Sequence, residues 1–255
     1  MIGCIVQARM GSSRLPGKVL MKIDGDKTVL SYTMDQLRFC RSIDKIVIAT
    51  TTLKEDEEIV DFARKNNTPC YRGDPDNVLD RYYNCAKEFG FAIIIRITAD
   101  CPLIDPQVVD MVVKKFKENS FDYVTNCLKR TYPYGTEVEV FSVDALNEAH
   151  GNAKLPSEKE HVTPYIKNHK EKFKIHNIEY KEDLSKFRWV VDRENDLILV
   201  KKLIEKIKQR PILMNHIITI LVKEPDLWQI NNKNIPDEGF LKSLKDDEKF
   251  LRNQK

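Results

Sequence analysis

The chain has 255 residues, 42% of them hydrophobic and 32% charged, enough for one large domain or two small ones with a proper core. Forty-two basic against 39 acidic side chains leave a net charge of +3, too balanced for nucleic-acid binding by bulk electrostatics. No apolar run reaches the roughly 18 residues of a membrane span, and the opening apolar stretch is too short before Gln7 and Arg9 for a signal peptide. Six cysteines at positions 4, 40, 70, 85, 101 and 127 form no C-x-x-C pair. They read as small buried hydrophobes in a reducing cytoplasm, without a zinc site or a disulfide framework.

In chain order, residues 2–8, 45–50 and 92–98 are β-branched runs of strand length. Their near-continuous apolarity predicts buried parallel strands. Helical patterns at 30–40, 55–66, 78–89 and 105–117 alternate with them, with Pro106 suited to a first turn and Asp76 or Asn77 to an N-cap. That alternation predicts right-handed βαβ units, a mostly parallel sheet covered by helices on both faces. Beyond residue 120 the rhythm changes. Strands are expected at 121–125, 136–141, 173–178 and 187–191, and helices at 143–150, 157–169, 194–208 and 214–222, with Pro211 breaking the last two. Ser157-x-x-Glu160 has the form of a capping box, which predicts a helix start near Ser157. The charged end, 237–255, reads as a surface helix or frayed tail. The expected organisation is a main domain over 1–210 carrying a small α+β arm at about 130–185, with a helical extension over 211–255.

The most informative segment is Gln7-Ala8-Arg9-Met10-Gly11-Ser12-Ser13-Arg14-Leu15-Pro16-Gly17-Lys18. Three cations fall within ten residues on a glycine- and serine-rich loop that follows the first strand. Glycine has no Cβ to keep a polyphosphate away from backbone N–H groups. The alternative is a solvated basic turn; the strand–loop–helix order favours a nucleotide site. The P-loop pattern G-x-x-x-x-G-K-[ST] is excluded, because five residues separate Gly11 from Gly17 and Val19 follows Lys18. Asp100, just after the third strong run, and Asp192, after the run at 187–191, are expected at strand ends facing this loop. Carboxylates there suit Mg²⁺, which takes one or two of them together with phosphate oxygens. Asp196 reads as a first-turn helix acid. Arg72 follows a short strand, where it could reach a base edge or a phosphate, and Arg81 lies a turn inside the next helix, where a structural ion pair is the bland alternative. His161 could contact a substrate, although a lone histidine on a helix is more often structural, and Arg130, Tyr132 and Tyr134 could line an acceptor pocket or belong to a plain loop at 132–135.

Together with Arg72-Gly73-Asp74-Pro75-Asp76-Asn77-Val78-Leu79-Asp80-Arg81-Tyr82, Arg96-Ile97-Thr98-Ala99-Asp100-Cys101-Pro102-Leu103, Glu158-Lys159-Glu160-His161-Val162-Thr163-Pro164-Tyr165 and Arg188-Trp189-Val190-Val191-Asp192, the loop resembles one family. It is similar to the spore coat polysaccharide biosynthesis protein F group, cytidylyltransferases related to acylneuraminate and 3-deoxy-manno-octulosonate activating enzymes. The resemblance runs from residue 1 to about 205. It implies a three-layer nucleotidyltransferase fold, CTP as substrate, Mg²⁺ or Mn²⁺ as cofactor, release of pyrophosphate and a homodimer. By motif, Gln7, Ala8, Arg9, Gly11, Ser12, Arg14, Lys18, Arg72 and Asp100 would bind the nucleotide, with Arg14, Lys18 and Asp100 catalytic. Asp100 and Asp192 would hold the metal, and Arg72 would contact the cytosine. Acceptor-side candidates are Arg81, Asn126, Glu137, Glu160 and His161, for an acidic sugar or a sugar or polyol phosphate. Rival readings are a metal-dependent glycosyltransferase using a nucleotide-sugar, disfavoured because no D-x-D follows the expected strand, and a non-catalytic nucleotide-binding module.

Overall fold

The protein is described from a computed structural model covering residues 1–253. Its elements in chain order are β1 (Ile2–Gln7), a small hairpin of β2 (Lys22–Asp24) and β3 (Lys27–Thr28), α1 (Val29–Leu37), β4 (Lys45–Thr51), α2 (Glu57–Lys65), β5 (Cys70–Gly73), α3 (Val78–Phe89), β6 (Ile93–Thr98) and α4 (Pro106–Glu118). There follow β7 (Tyr123–Thr125), β8 (Glu139–Ser142), α5 (Val143–Asn152), α6 (Pro156–His161), α7 (Pro164–Asn168), β9 (Ile175–Asn177), α8 (Glu194–Lys206), α9 (Met214–Lys223), α10 (Pro225–Gln229) and α11 (Glu238–Arg252). The last two residues of the expected helix at 237–255 lie outside the described residues.

A seven-stranded sheet runs in the order β5-β4-β1-β6-β8-β7-β9. β5, β4, β1 and β6 are mutually parallel, as their apolar runs predict, while β8 is antiparallel to both β6 and β7. The register sets Ile2 beside Ile93 and Gln7 beside Thr98, so β1 and β6 end level with each other. The chain leaves both strands at the same sheet edge, which brings the loop after Gln7 next to Asp100. Because side chains alternate along a strand, each central strand feeds two cores. Cys4, Val6, Ile95 and Ile97 pack with α1, α4 and α8 on one face, and Ile5 and Ile94 pack with α3 and α5 on the other. Burying each such isoleucine or valine is worth about 1.5–3 kcal/mol. Helix starts follow their caps: Asn77 accepts from Asp80 N–H at 3.0 Å, and Asp105 accepts from Gln107 N–H at 2.8 Å ahead of Pro106.

Three local expectations need correction. The helix expected over 157–169 is two short helices, because Val162 takes φ 70° and Pro164 cannot donate an N–H to continue the first. The cap also differs: α6 begins at Pro156, and the Glu158 carboxylate takes the N–H groups of Lys154 and Leu155 at 2.8 and 2.9 Å. The segment 187–191 is extended but is no sheet strand. It makes one isolated bridge, Tyr134 to Arg188, and is tied down by Val191 N–H donating to the Asp100 carbonyl at 2.8 Å. Its apolar residues, Trp189 above all, are buried by packing rather than by a ladder. All six cysteines are free; Cys4, Cys85 and Cys101 are buried and the other three half-buried.

Candidate active site

The loop from Ala8 to Lys18 is closed on itself. Gly17, at φ 71°, donates to the Met10 carbonyl at 2.9 Å, and Ser12 donates to the same oxygen at 2.8 Å. Leu15 is buried and pins the loop to the core. The fully buried Asp56 accepts from Met10 N–H at 2.7 Å and from the Thr51 hydroxyl, so the end of β4 fixes where the loop begins. Gly11 leaves little space: a Cβ there would stand 2.9 Å from Glu55 Oε1. The amides of Gly11, Ser13 and Arg14 find no acceptor among the described residues and are available to an anionic ligand.

Lys18 stands at the mouth of this loop. Its ammonium donates to Asp100 Oδ2 at 2.5 Å and to Asp192 Oδ1 at 2.7 Å. Arg14 donates to Asp192 Oδ1 at 2.8 Å, and Arg188 to Asp192 Oδ2 at 2.8 Å. The two aspartates thus meet at one point although 187–191 is not a strand. Asp196, fully buried in the first turn of α8, fixes this geometry by accepting from Asp192 N–H, Arg193 N–H and the Arg188 guanidinium at 3.0, 2.9 and 3.0 Å. Burial disfavours the Lys18 ammonium, but Asp100 and Asp192 more than offset that and raise its pKa. Burial likewise opposes the Asp192 carboxylate, yet Lys18 and Arg14 hold it well below the usual carboxylate range. Two hard carboxylates converging on one cation fit the donor set of Mg²⁺, which keeps its remaining positions for water and phosphate oxygens. Among the described residues no group of three or more His, Cys, Asp or Glu side chains forms a complete protein cage. An ion held here would take its other ligands from water and from the substrate's phosphates.

The loop, Lys18 and Asp100 border a pocket of about 380 Å³. Gln7, Ala8, Arg9, Gly11, Ser12 and Arg14, the residues assigned to the nucleotide by motif, all line it. So do three of the acceptor-side candidates, Arg81, Glu160 and His161. Arg81 is buried on α3 and donates to the Asp74 carbonyl at 2.7 Å, not to a carboxylate. Glu160 faces Arg9 at 3.7 Å, and His161 Nε2 lies 2.9 Å from the Ser243 hydroxyl. Burial first, then the charges of Arg96 and Lys167, bring the His161 pKa down to about 4.

The remaining candidates lie elsewhere. Arg72 spends its guanidinium on the Thr51 and Leu53 carbonyls, at 3.1 Å each, and on Glu57 at 2.6 Å, and it does not border the pocket. Asn126 is a buried bracket between Thr136 and Val138. Glu137 holds Arg130 at 2.5 Å and accepts from Gly135 N–H at 2.8 Å, while Arg130 stacks on Tyr134 with its Cζ 3.7 Å from the ring centre. Several contributors were overlooked, on β6 and on α11. Arg96 sits inside a motif quoted for its aspartate, and a cation in the middle of an apolar strand was the available signal. Gly239 and Lys242 of α11 carried no motif at all.

Comparison with known proteins identifies the family and the fold. The profile of the cytidylyltransferase family matches residues 3–230. The spore coat polysaccharide biosynthesis protein SpsF of Bacillus subtilis is 31% identical over 230 residues, 87% of this chain and 94% of that protein. A cytidylyltransferase structure from Leptospira borgpetersenii serovar Hardjo-bovis superposes with a TM-score of 0.86 at 33% identity, covering 92% of this chain and 98% of that one. The structure of CMP:2-keto-3-deoxy-manno-octonic acid synthetase complexed with CTP shares the fold, with a TM-score of 0.61 at 18% identity over 80% of this chain and 98% of that one. A family match over most of the length, on a chain whose basic loop and paired aspartates meet at one sheet edge, makes this protein a member of the cytidylyltransferase family and a CTP-dependent nucleotidyltransferase.

Proposed function

We propose that the protein transfers CMP from CTP to an acidic sugar or to a sugar or polyol phosphate, releasing pyrophosphate, as a step in surface polysaccharide or glycan formation. The observation that carries this reading is the Lys18 ammonium shared by Asp100 and Asp192, with Arg14 on the same carboxylate, at the edge of the pocket. The likeness to a protein named for spore coat polysaccharide biosynthesis supports the pathway class. Membership of a cytidylyltransferase family is the reason the nucleotide-sugar glycosyltransferase and non-catalytic alternatives are set aside.

An acceptor oxygen attacks the α-phosphorus of CTP in line. The new P–O bond forms as the bond to the α,β-bridging oxygen breaks, that oxygen leaves with the electron pair in pyrophosphate, and the acceptor's proton passes to solvent. Arg14 and Lys18 neutralise the triphosphate, and the loop amides hold its oxygens. Asp100 and Asp192 would hold Mg²⁺, which when bound supplies further charge neutralisation on the phosphates. The rigid bracing of Asp192 by Arg188 and Asp196 means little reorganisation is needed at the moment of transfer. Free thiols at all six cysteines support a reducing, cytoplasmic setting, and no helix among the described residues is long and apolar enough to cross a membrane.

The test is pyrophosphate release from CTP, UTP, ATP and GTP against a panel of acidic sugars and sugar or polyol phosphates. Release selective for CTP and dependent on an acceptor is expected. Release indifferent to the base removes the cytidylyl assignment.

A further inference from the structure

Two further arginines, Arg81 and Arg96, line the pocket, and neither has a carboxylate to itself. Arg81 is 1% exposed, and its guanidinium has no carboxylate within ion-pair distance among the described residues. One of its nitrogens meets the Asp74 carbonyl, and its Nε is buried without a hydrogen-bond partner. Arg96, which reaches the same pocket from β6, does pair with Glu139, but that carboxylate is shared with Lys167 at 2.7 Å. Arg96 and Lys167 against Glu139 leave one positive charge in excess, and the Arg96 Nε is likewise buried and unpartnered. Arg81 thus has no ion-pair partner, Asp56 and Asp74 act on it only from beyond that distance, and the pocket's own carboxylates Glu160 and Asp246 face Arg9 and Lys249 instead. At the Lys18 cluster, by contrast, Lys18, Arg14 and Arg188 are matched by Asp100, Asp192 and Asp196.

A buried cation without a counter-charge disfavours the fold unless a ligand supplies the missing anion. We propose that Arg81 and Arg96 form the subsite for a phosphate monoester on the acceptor. This rests on the cytidylyltransferase reading above and narrows its acceptor to the sugar or polyol phosphates. A phosphate monoester is the matching charge, close to −2 at neutral pH, and its oxygens suit the fork of an arginine better than a single carboxylate does. The neutral state of His161 in the same pocket, imposed by burial and then by the charges of Arg96 and Lys167, agrees with a site whose positive charge is in surplus.

The test uses the full chain with CTP and Mg²⁺ present to fill the nucleotide clamp, and inorganic phosphate as probe. Phosphate is expected to raise the melting temperature of the unaltered protein by about 3 °C or more at saturation, and acetate to leave it unchanged. Arg81→Met should abolish the phosphate response, keep the CTP dissociation constant, and raise KM for phosphorylated acceptors by about 10- to 100-fold, the loss of one charged hydrogen-bonding partner. Should Arg81→Met not fold, Arg81→Lys keeps the charge but not the fork and should weaken the phosphate response. Acetate matching phosphate overturns the ligand class. A full phosphate response in the Arg81 variant overturns the subsite, and weakened CTP binding there moves Arg81 to the nucleotide. Base selectivity of pyrophosphate release tests the parent reading separately, so the two can fail independently.

Discussion

Lys18 joins carboxylates that lie 82 and 174 residues away in the chain, and it is 8% exposed. Without it, Asp100 and Asp192 would face each other with one balancing charge fewer. Lys18→Ala is therefore expected to cost about 3–5 kcal/mol of stability in metal-free buffer, the penalty for breaking a buried pair, and to lower turnover by about 100-fold or more. Melting curves with and without Mg²⁺ check the first part: the ion should recover much of the loss, because it can replace the missing cation. Near-normal turnover would remove Lys18 from the mechanism. Titration behaviour follows from the same neighbourhood. Asp192 has a depressed folded pKa, so its contribution is complete above the unfolded value of about 3.9 and is lost as acid protonates it below that. His161 acts at higher pH. Its folded pKa of about 4 lies below the unfolded value of about 6.5, so stability should fall as pH drops from 6.5 toward 4. The loss is on the order of 2–3 kcal/mol after allowance for the side chain's partial exposure. His161→Gln should flatten that part of a stability–pH profile measured by urea unfolding.

At the scale of elements, α11 is the least expected part of the fold. Its sequence is charged and amphipathic with no motif, which is why a surface helix or frayed tail was the natural reading. In the structure its polar side chains close onto α6: Asp247 accepts from Ser157 N–H at 2.8 Å, and Ser243 meets His161 at 2.9 Å. Glu238, at its start, reaches Arg193 at 2.8 Å. Asp247→Ala leaves the buried Ser157 N–H without a partner, an expected loss of about 1–3 kcal/mol in urea unfolding. An unchanged midpoint would mean that α11 is held by other contacts. Gly135 is a second such position. At φ 101°, a Cβ would lie 2.7 Å from the Trp189 ring and 2.8 Å from Val190 N. Gly135→Ala should strain the turn that clamps the segment bearing Asp192, costing about 1–3 kcal/mol and reducing turnover with it. The extended stretch at 187–191 looked like a strand because its residues are apolar, and the same pattern is produced by packing under another element. A ladder needs a partner at the right register, and that is set by residues far away in the chain.

For the whole molecule, the family resemblance carries the expectation of a homodimer. Sedimentation should then give a species of twice the 29.7 kDa chain, and a species at the chain mass would refute it. The strands β1, β4 and β6 and the helices between them were legible locally, since a strand buried on both faces must be apolar throughout. The basic loop stood out by its composition, with glycine, serine and three cations directly after a buried strand. What residue types and spacing determined alone was thus the parallel half of the sheet and the position of the basic loop at its edge, while the family came from the likeness of whole motifs. The tertiary structure decided which charges are spent and which are left over. Arg72 is consumed by Thr51, Leu53 and Glu57, whereas Arg81, nine residues later on α3, is buried without an ion-pair partner and lines the pocket that Arg96 and α11 also border. A side chain's charge is written in the sequence, but whether it is neutralised depends on groups brought together from distant parts of the chain, and only the folded arrangement of the helices around the sheet supplies them.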